Sequence, residues 1–152
     1  MAIGLIILYW RGFIETKNTE TKPSRLFLYS LFFCMICLCV TPFHSTDLYG
    51  YINRGWQQVA YGVNPYVTVV DQILFWEGDP MFTNHWVDNP CPYGFFYAKI
   101  AKWLAILGQG DFGLTVFLFK GINVLCHIAI GGLVWFNAKA LNLKRPDLAV
   151  YL

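Results

Sequence analysis

The chain has 152 residues, of which 57% are hydrophobic and only 13% charged, and its formal net charge is +2. A soluble domain carries roughly 25% charged residues, so this composition cannot clothe a globular surface in charge. The small net charge comes without a Lys/Arg cluster that could track phosphates, which excludes a nucleic-acid partner.

Aromatic residues reach 18%, and Trp and Tyr are the side chains that gather where a chain crosses lipid headgroups. Residues 1–14 are apolar, but Arg11 interrupts them. They fall short of the ~20 residues of a membrane span, and read as part of a span or as an interfacial segment. They lack the basic start and small-residue cleavage site of a signal peptide. Residues 15–25 (ETKNTETKPSR) are a polar linker, with Pro23 and Ser24 marking a boundary before the next helix. Residues 26–43 carry no charge and form the clearest transmembrane helix. Pro42 closes or kinks its end.

Residues 44–112 differ in character. Up to residue 94 they hold Asp47, Asp71, Glu77, Asp79 and Asp88 against a single base, Arg54, and are punctuated by GVNP, GDP and DNPCPYG. Trp56, Tyr61, Tyr66, Phe75, Trp76, Phe82 and Trp86 give this loop material to pack, and long loops in compact proteins are usually functional. Ser45 or Thr46 before Asp47 signals a helix start, predicting a helix over about 48–60. Residues 95–107 predict an amphipathic helix. Phe96, Ile100, Trp103, Leu104 and Leu107 form its apolar face, and Lys99 and Lys102 lie on a separate edge. That pattern suits a helix in the membrane interface with its lysine stems snorkelling. After GQGD, residues 113–137 form a second transmembrane helix, and residues 138–152 a basic tail.

Lys17, Lys22 and Arg25 precede the first span, and Lys139, Lys144 and Arg145 follow the second. Basic flanks stay cytoplasmic, so the acidic loop between them is expected on the extracytoplasmic side. The fold class expected is an all-α membrane protein, with transmembrane helices bracketing an extracytoplasmic loop of interfacial helices. A further apolar segment begins at LAVYL, so the chain reads as the N-terminal fragment of a longer polytopic protein, inactive alone.

The five cysteines are Cys34, Cys37, Cys39, Cys91 and Cys126. Three lie in one apolar run, where a redox or zinc site would lack polar partners, so they read as small core residues. No disulfide framework is expected from the odd count.

The chemistry-bearing residues cluster in the loop. A helix from 48 to 60 places Asp47, Tyr51, Arg54 and Gln58 on one face, where the first span leaves the membrane. Asp47 has two readings there: a charge favourably placed at a helix N-terminus, or a general base. Sugar transfer from a lipid phosphate needs a carboxylate to take the proton of a weakly nucleophilic hydroxyl. The phosphate leaves as a stable anion that cationic groups need only hold. Arg54 reads as an interfacial anchor or a phosphate ligand, too far along an unbent helix to pair with Asp47. Asp88 reads as a turn residue or an acceptor-sugar contact, and His85 as a surface group or its neighbour in that contact. The loop aromatics read as interfacial belt and loop core, or as platforms for sugars. Lys120, Asn123 and His127 stripe the second span. There Lys120 either snorkels or meets a lipid phosphate, and the other two hydrogen-bond a neighbouring helix. His44 and Asp47 are two candidate ligands for a divalent cation, too few to define a metal site; no other cofactor is expected.

Asp47, Tyr49, Tyr51 and Gly55, then Gly62, Asn64, Pro65 and Tyr66, then Pro92, Tyr93 and Gly94, make a pattern D-x-Y-x-Y-x-x-x-G, G-x-N-P-Y, P-Y-G. Over roughly residues 26–137 this resembles the polyprenol-phosphate-dependent glycosyltransferases of the C-type (GT-C) superfold, in their bacterial mannosyltransferase-like branch. The resemblance implies an integral enzyme of the bacterial cell membrane. It implies a sugar, mannose among the candidates, taken with inversion from a polyprenyl-phosphate donor to a glycan or lipid-linked acceptor. It implies Asp47 as catalytic base; Asp88, Arg54, Tyr51, Lys120 and His85 are candidate substrate contacts on their own positions and chemistry. Two departures stand out: Thr46-Asp47 replaces the adjacent acids of many relatives, and Phe95 follows Gly94 where relatives carry Pro. The competing class is a non-enzymatic polytopic transporter or assembly subunit, using the aromatic loop for packing; the enzyme predicts a lipid-sized groove beside Asp47, which a flippase-like lipid handler would share without needing a base.

Overall fold

The computed structural model describes residues 2–18, 22–40 and 45–151. Every regular element among them is helical: α1 (Ala2–Asn18), α2 (Pro23–Cys39), α3 (Asp47–Ala60), α4 (Phe95–Gly108), α5 (Phe112–Ala140) and α6 (Pro146–Tyr151), with 3-10 turns at Val70–Gln72 and Trp76–Gly78. The chain divides into two compact units, one of Val40–Ile122 and one of Met1–Cys39 with Asn123–Leu152.

In the second of these, α1 continues through residues 15–18 of the stretch expected as a linker. No Gly or Pro interrupts it there, and Glu and Lys are good helix formers. The α2 helix has 17 residues, roughly 26 Å at 1.5 Å per residue. Residues 41–43, with Pro42, lie outside the described residues. Ser30 Oγ and His127 Nε2 are 2.8 Å apart, joining α2 to α5. Arg145 pairs with Asp147 at 2.7 Å and donates to the carbonyls of Thr16 and Lys17, tying α6 to α1. Among the described residues α5 is the one helix long and apolar enough to cross a membrane.

The unit of residues 40–122 is built on α3 against α4. Gly55 lets the two backbones approach: a Cβ there would lie 2.4 Å from the Ala101 carbonyl oxygen. The facing side of α4 is correspondingly small, with Ala98, Ala101, Ala105 and Gly108 all buried. Leu104 also turns inward, joining Ile52, Met81 and Phe119 in the core. The rest of the apolar face expected on α4 points away from the protein, with Phe96 83%, Trp103 64% and Leu107 57% exposed. Gln109 and Gly110 take positive φ to end α4, and Asp111 caps α5 by accepting the Leu114 N–H at 2.7 Å.

The inner face of α3 is polar and holds the long loop by its backbone. Asn53 donates to the carbonyls of Thr83 and His85 at 3.0 and 2.9 Å and accepts the Thr83 N–H. Gln57 donates to the Thr68 carbonyl at 3.2 Å. Asp79 accepts from the Trp56 indole and the Tyr61 hydroxyl, both at 2.8 Å, closing the second turn of the loop. A satellite cluster of Val70, Ile73 and Phe82 fills the space beneath.

Candidate functional site

The N-terminal turns of α3 form one wall of a cavity of about 330 Å³, within the range of small-ligand sites. Asp47, Gly50, Tyr51 and Arg54 line it from the helix. Trp86, Asn89, Pro90, Pro92 and Tyr93 line it from the loop opposite. The spacing Asp47, Tyr51, Arg54 is i, i+4, i+7, which stacks the three on one face. Gln58, the fourth residue expected on that face, instead bonds the carbonyls of Arg54 and Ala98 and lines a neighbouring cavity.

Asp47 sits in the first helical turn after Thr46, and its N–H donates to Ser45 Oγ at 3.1 Å. Among the described residues its carboxylate has no hydrogen-bond or ion-pair partner, so its oxygens are open to the cavity's occupant. The neighbouring His44, the other half of the two-ligand cation reading, lies outside the described residues. Among those described, no cluster of three or more His, Cys, Asp or Glu could hold a metal ion.

Arg54 is 3% exposed. Its guanidinium donates to the carbonyls of Trp86, at 2.5 Å, and of Asn89, and to Gln57 Oε1 at 3.3 Å. Two of these three bonds, to Trp86 and Asn89, hold the opposite wall of the cavity to α3, and the third, to Gln57, stays within the helix. Burial pulls its pKa below the ordinary arginine value, while Cys91, Asp88, Asp71 and Tyr93 oppose that shift. An arginine stays protonated regardless.

Trp86 has φ 61°, a left-handed conformation uncommon for a bulky residue. Its indole N–H donates to Thr46 Oγ1 at 3.2 Å. Gly50 makes room for the ring, since a Cβ there would lie 3.0 Å from Trp86 Cδ1. Tyr51, Tyr93 and Tyr97 pack mutually, with ring centroids 4.9 to 5.2 Å apart. Burial first, then the hydrogen bond with Tyr93 and the charges of Tyr93 and Asp47, raise the Tyr51 pKa above the usual phenol range. Burial, then Tyr51 and the neighbouring acids, does the same to Tyr97. Both are neutral phenols at ordinary pH.

The remaining sequence candidates lie elsewhere. His85 stacks its ring on Tyr49, centroids 5.3 Å apart and 20° between planes, and does not line the cavity. Asp88 is exposed and accepts from Asn89 Nδ2 at 2.7 Å, so it is Asn89 and Pro90 that reach the wall. Lys120 donates to the Val40 carbonyl and is absent from the lining. Asn64 accepts the Tyr66 N–H at 3.0 Å in a side-chain turn. The next residue's carbonyl, Pro65, accepts the Cys91 N–H at 2.8 Å, so the N-P-Y and N-P-C-P-Y-G segments are tied together. Trp86 was legible only as one of the loop aromatics that could serve as sugar platforms, and Asn89 and Pro90 only as turn residues. Only their place between Asn53's partner His85 and the P-Y-G motif puts them opposite Asp47.

The arrangement offers one open carboxylate, a buried cation and aromatic walls, in a space sized for a small ligand. A family model described as alpha-(1->6)-mannopyranosyltransferase, N-terminal domain, matches residues 1–152. No curated protein and no solved structure matches the chain.

Proposed function

The chain belongs to the alpha-(1->6)-mannopyranosyltransferase N-terminal-domain family, and from that premise we propose that it carries the general base of a polyprenyl-phosphate-dependent mannosyl transfer, with Asp47 in that role. The observation that carries this reading is the Asp47 carboxylate, unpartnered among the described residues, on a cavity walled by Tyr51, Trp86 and Tyr93. The acceptor hydroxyl attacks the anomeric carbon, a new C–O bond forms, and the bond from that carbon to the phosphate oxygen breaks. Asp47 takes the hydroxyl proton, and the polyprenyl phosphate departs with the electron pair as an anion. An alpha product formed by inversion requires a beta-linked donor.

The aromatic walls suit the apolar faces of a pyranose ring. Arg54 positions the loop wall and is the one cationic residue among those lining the cavity, the candidate to hold the leaving phosphate. The exposed apolar residues of α5 and α2 meet lipid tails, and the outward face of α4 lies in the interface. The basic flanks support an extracytoplasmic side for the Asp47 cavity. Asp88, His85 and Lys120 do not line the cavity.

The test is transfer from radiolabelled polyprenyl-phosphate mannose by the full-length protein in membranes, comparing wild type with Asp47→Asn at matched expression. Loss of a positioned base lowers the rate roughly 10²- to 10⁴-fold. Transfer by Asp47→Asn at the wild-type rate removes Asp47 from the mechanism.

A further inference from the structure

The unit of residues 40–122 is acidic, with Asp47, Asp71, Glu77, Asp79, Asp88 and Asp111 against Arg54, Lys99, Lys102 and Lys120. Two of its cations are engaged with carbonyls, Arg54 with Trp86 and Asn89, and Lys120 with Val40. The other two, Lys99 and Lys102, stand one turn apart on α4 and line the same second cavity, of about 300 Å³. Its opposite side is the Gly62–Tyr66 turn, where Asn64 and Tyr66 bring polar groups to an otherwise acidic unit. The Lys99 ammonium rests 5.2 Å from the ring centroid of Phe95, which also lines the cavity.

The lysines are placed by helix geometry. At about 100° per residue, the exposed side of α4 centres on Phe96, Ile100, Trp103 and Leu107. The packing side centres on Ala98, Ala101 and Ala105. Lys99 and Lys102 fall between the two, roughly 70° and 130° from the middle of the exposed apolar side. A helix whose apolar side dips into acyl chains holds such an edge at the depth of the lipid phosphates. Two positive charges, a polar turn and an adjoining apolar surface are complementary to a molecule with an anionic head and apolar tails.

We propose that the cavity formed by Lys99, Lys102 and the Asn64–Tyr66 turn is a binding site for the phosphate headgroup of an anionic membrane phospholipid, distinct from the Asp47 cavity, with the lipid tails along Phe96, Trp103 and Leu107. The site rests on α4 lying at the membrane surface and is independent of the role of Asp47. A lipid held there fixes the depth of α4, and through the Gly55–Ala101 contact the depth of α3.

The test is native mass spectrometry of the chain released from phosphatidylcholine vesicles containing a minor share of phosphatidylglycerol. Wild type is expected to retain phosphatidylglycerol in preference to phosphatidylcholine. The Lys99→Gln/Lys102→Gln variant is expected to lose that preference roughly 25-fold, about five-fold for each lysine at a membrane surface. The charge-matched Lys139→Gln/Lys144→Gln variant is expected to keep it. Circular dichroism confirms that both variants retain their helices. Equal retention by wild type and Lys99→Gln/Lys102→Gln overturns the site while leaving the membrane reading intact. Displacement of phosphatidylglycerol by inorganic phosphate alone assigns the site to a free anion and overturns the lipid. A chain that does not associate with either vesicle type overturns the membrane placement and the site together.

Discussion

Replacing Arg54 with Met keeps the length and apolar stem of the side chain and deletes its guanidinium. The carbonyls of Trp86 and Asn89 then lose their shared donor. An unmade hydrogen bond to a buried polar group costs about 1–3 kcal/mol. Trp86 and Asn89 are themselves exposed, so water re-solvates their carbonyls in part, and the sum falls at roughly 2–3 kcal/mol. That energy separates the closed loop from one detached from α3, and corresponds to a roughly 30- to 150-fold rise in the open population. Two amides report on it: the Asp71 N–H, which donates to the Val87 carbonyl at 3.2 Å, and the Cys91 N–H, which donates to the Pro65 carbonyl at 2.8 Å. Hydrogen exchange at both is expected to quicken by that factor in Arg54→Met, because exchange follows local opening. Amides in the second half of α5 should be unaffected. If Arg54 instead served only to hold a substrate phosphate, exchange in the ligand-free protein would not change. Unaltered exchange at Asp71 and Cys91 therefore refutes the bracing role.

Gly55→Ala places a methyl 2.4 Å from a backbone oxygen that cannot rotate away. Overpacking of about 1–3 kcal/mol outweighs the roughly 1 kcal/mol that Ala contributes in a helix. A lower midpoint of thermal loss of helicity is expected, and a raised midpoint would show that α3 and α4 can separate freely. The tyrosine cluster gives a pH signature. Because Tyr51 and Tyr97 hold their protons more tightly in the folded protein, their contribution to stability is complete below about pH 10 and is lost as pH rises through the folded values. Tyrosinate absorbance should show a late-titrating fraction coincident with alkaline unfolding. Tyr51→Phe and Tyr97→Phe should each shrink that fraction, and an unchanged titration in both would count against the packed cluster.

The start of α3 was legible in Ser45-Thr46-Asp47, although Thr46 makes no side-chain cap and its hydroxyl instead accepts the Trp86 indole N–H. The common face of Asp47, Tyr51 and Arg54 followed from helical spacing alone. The partners of that face were not legible. Arg54 and Asn53 reach carbonyls some thirty residues on, and no local pattern encodes which backbone groups of a loop will meet a helix. The helix at Phe95–Gly108 was visible as periodicity, but its buried side was not. Large apolar residues dominate a hydrophobic pattern, whereas the side that packs is Ala98, Ala101, Ala105 and Gly108, where closeness of backbones replaces bulk. His85 shows the reverse limit: its polarity marked it as a site residue, and its ring rests flat on Tyr49.

Trp86 is fastened twice, through its carbonyl to Arg54 and through its indole to Thr46, and it holds a left-handed backbone between these ties. Two ties and a constrained backbone leave such a wall few alternative shapes. The entropy of ordering it is lost when the chain folds and is not charged again when a ligand arrives. Selectivity at this cavity then comes from a fixed outline that an entering molecule must match, and the residue opposite the indole, Gly50, sets how wide that outline is.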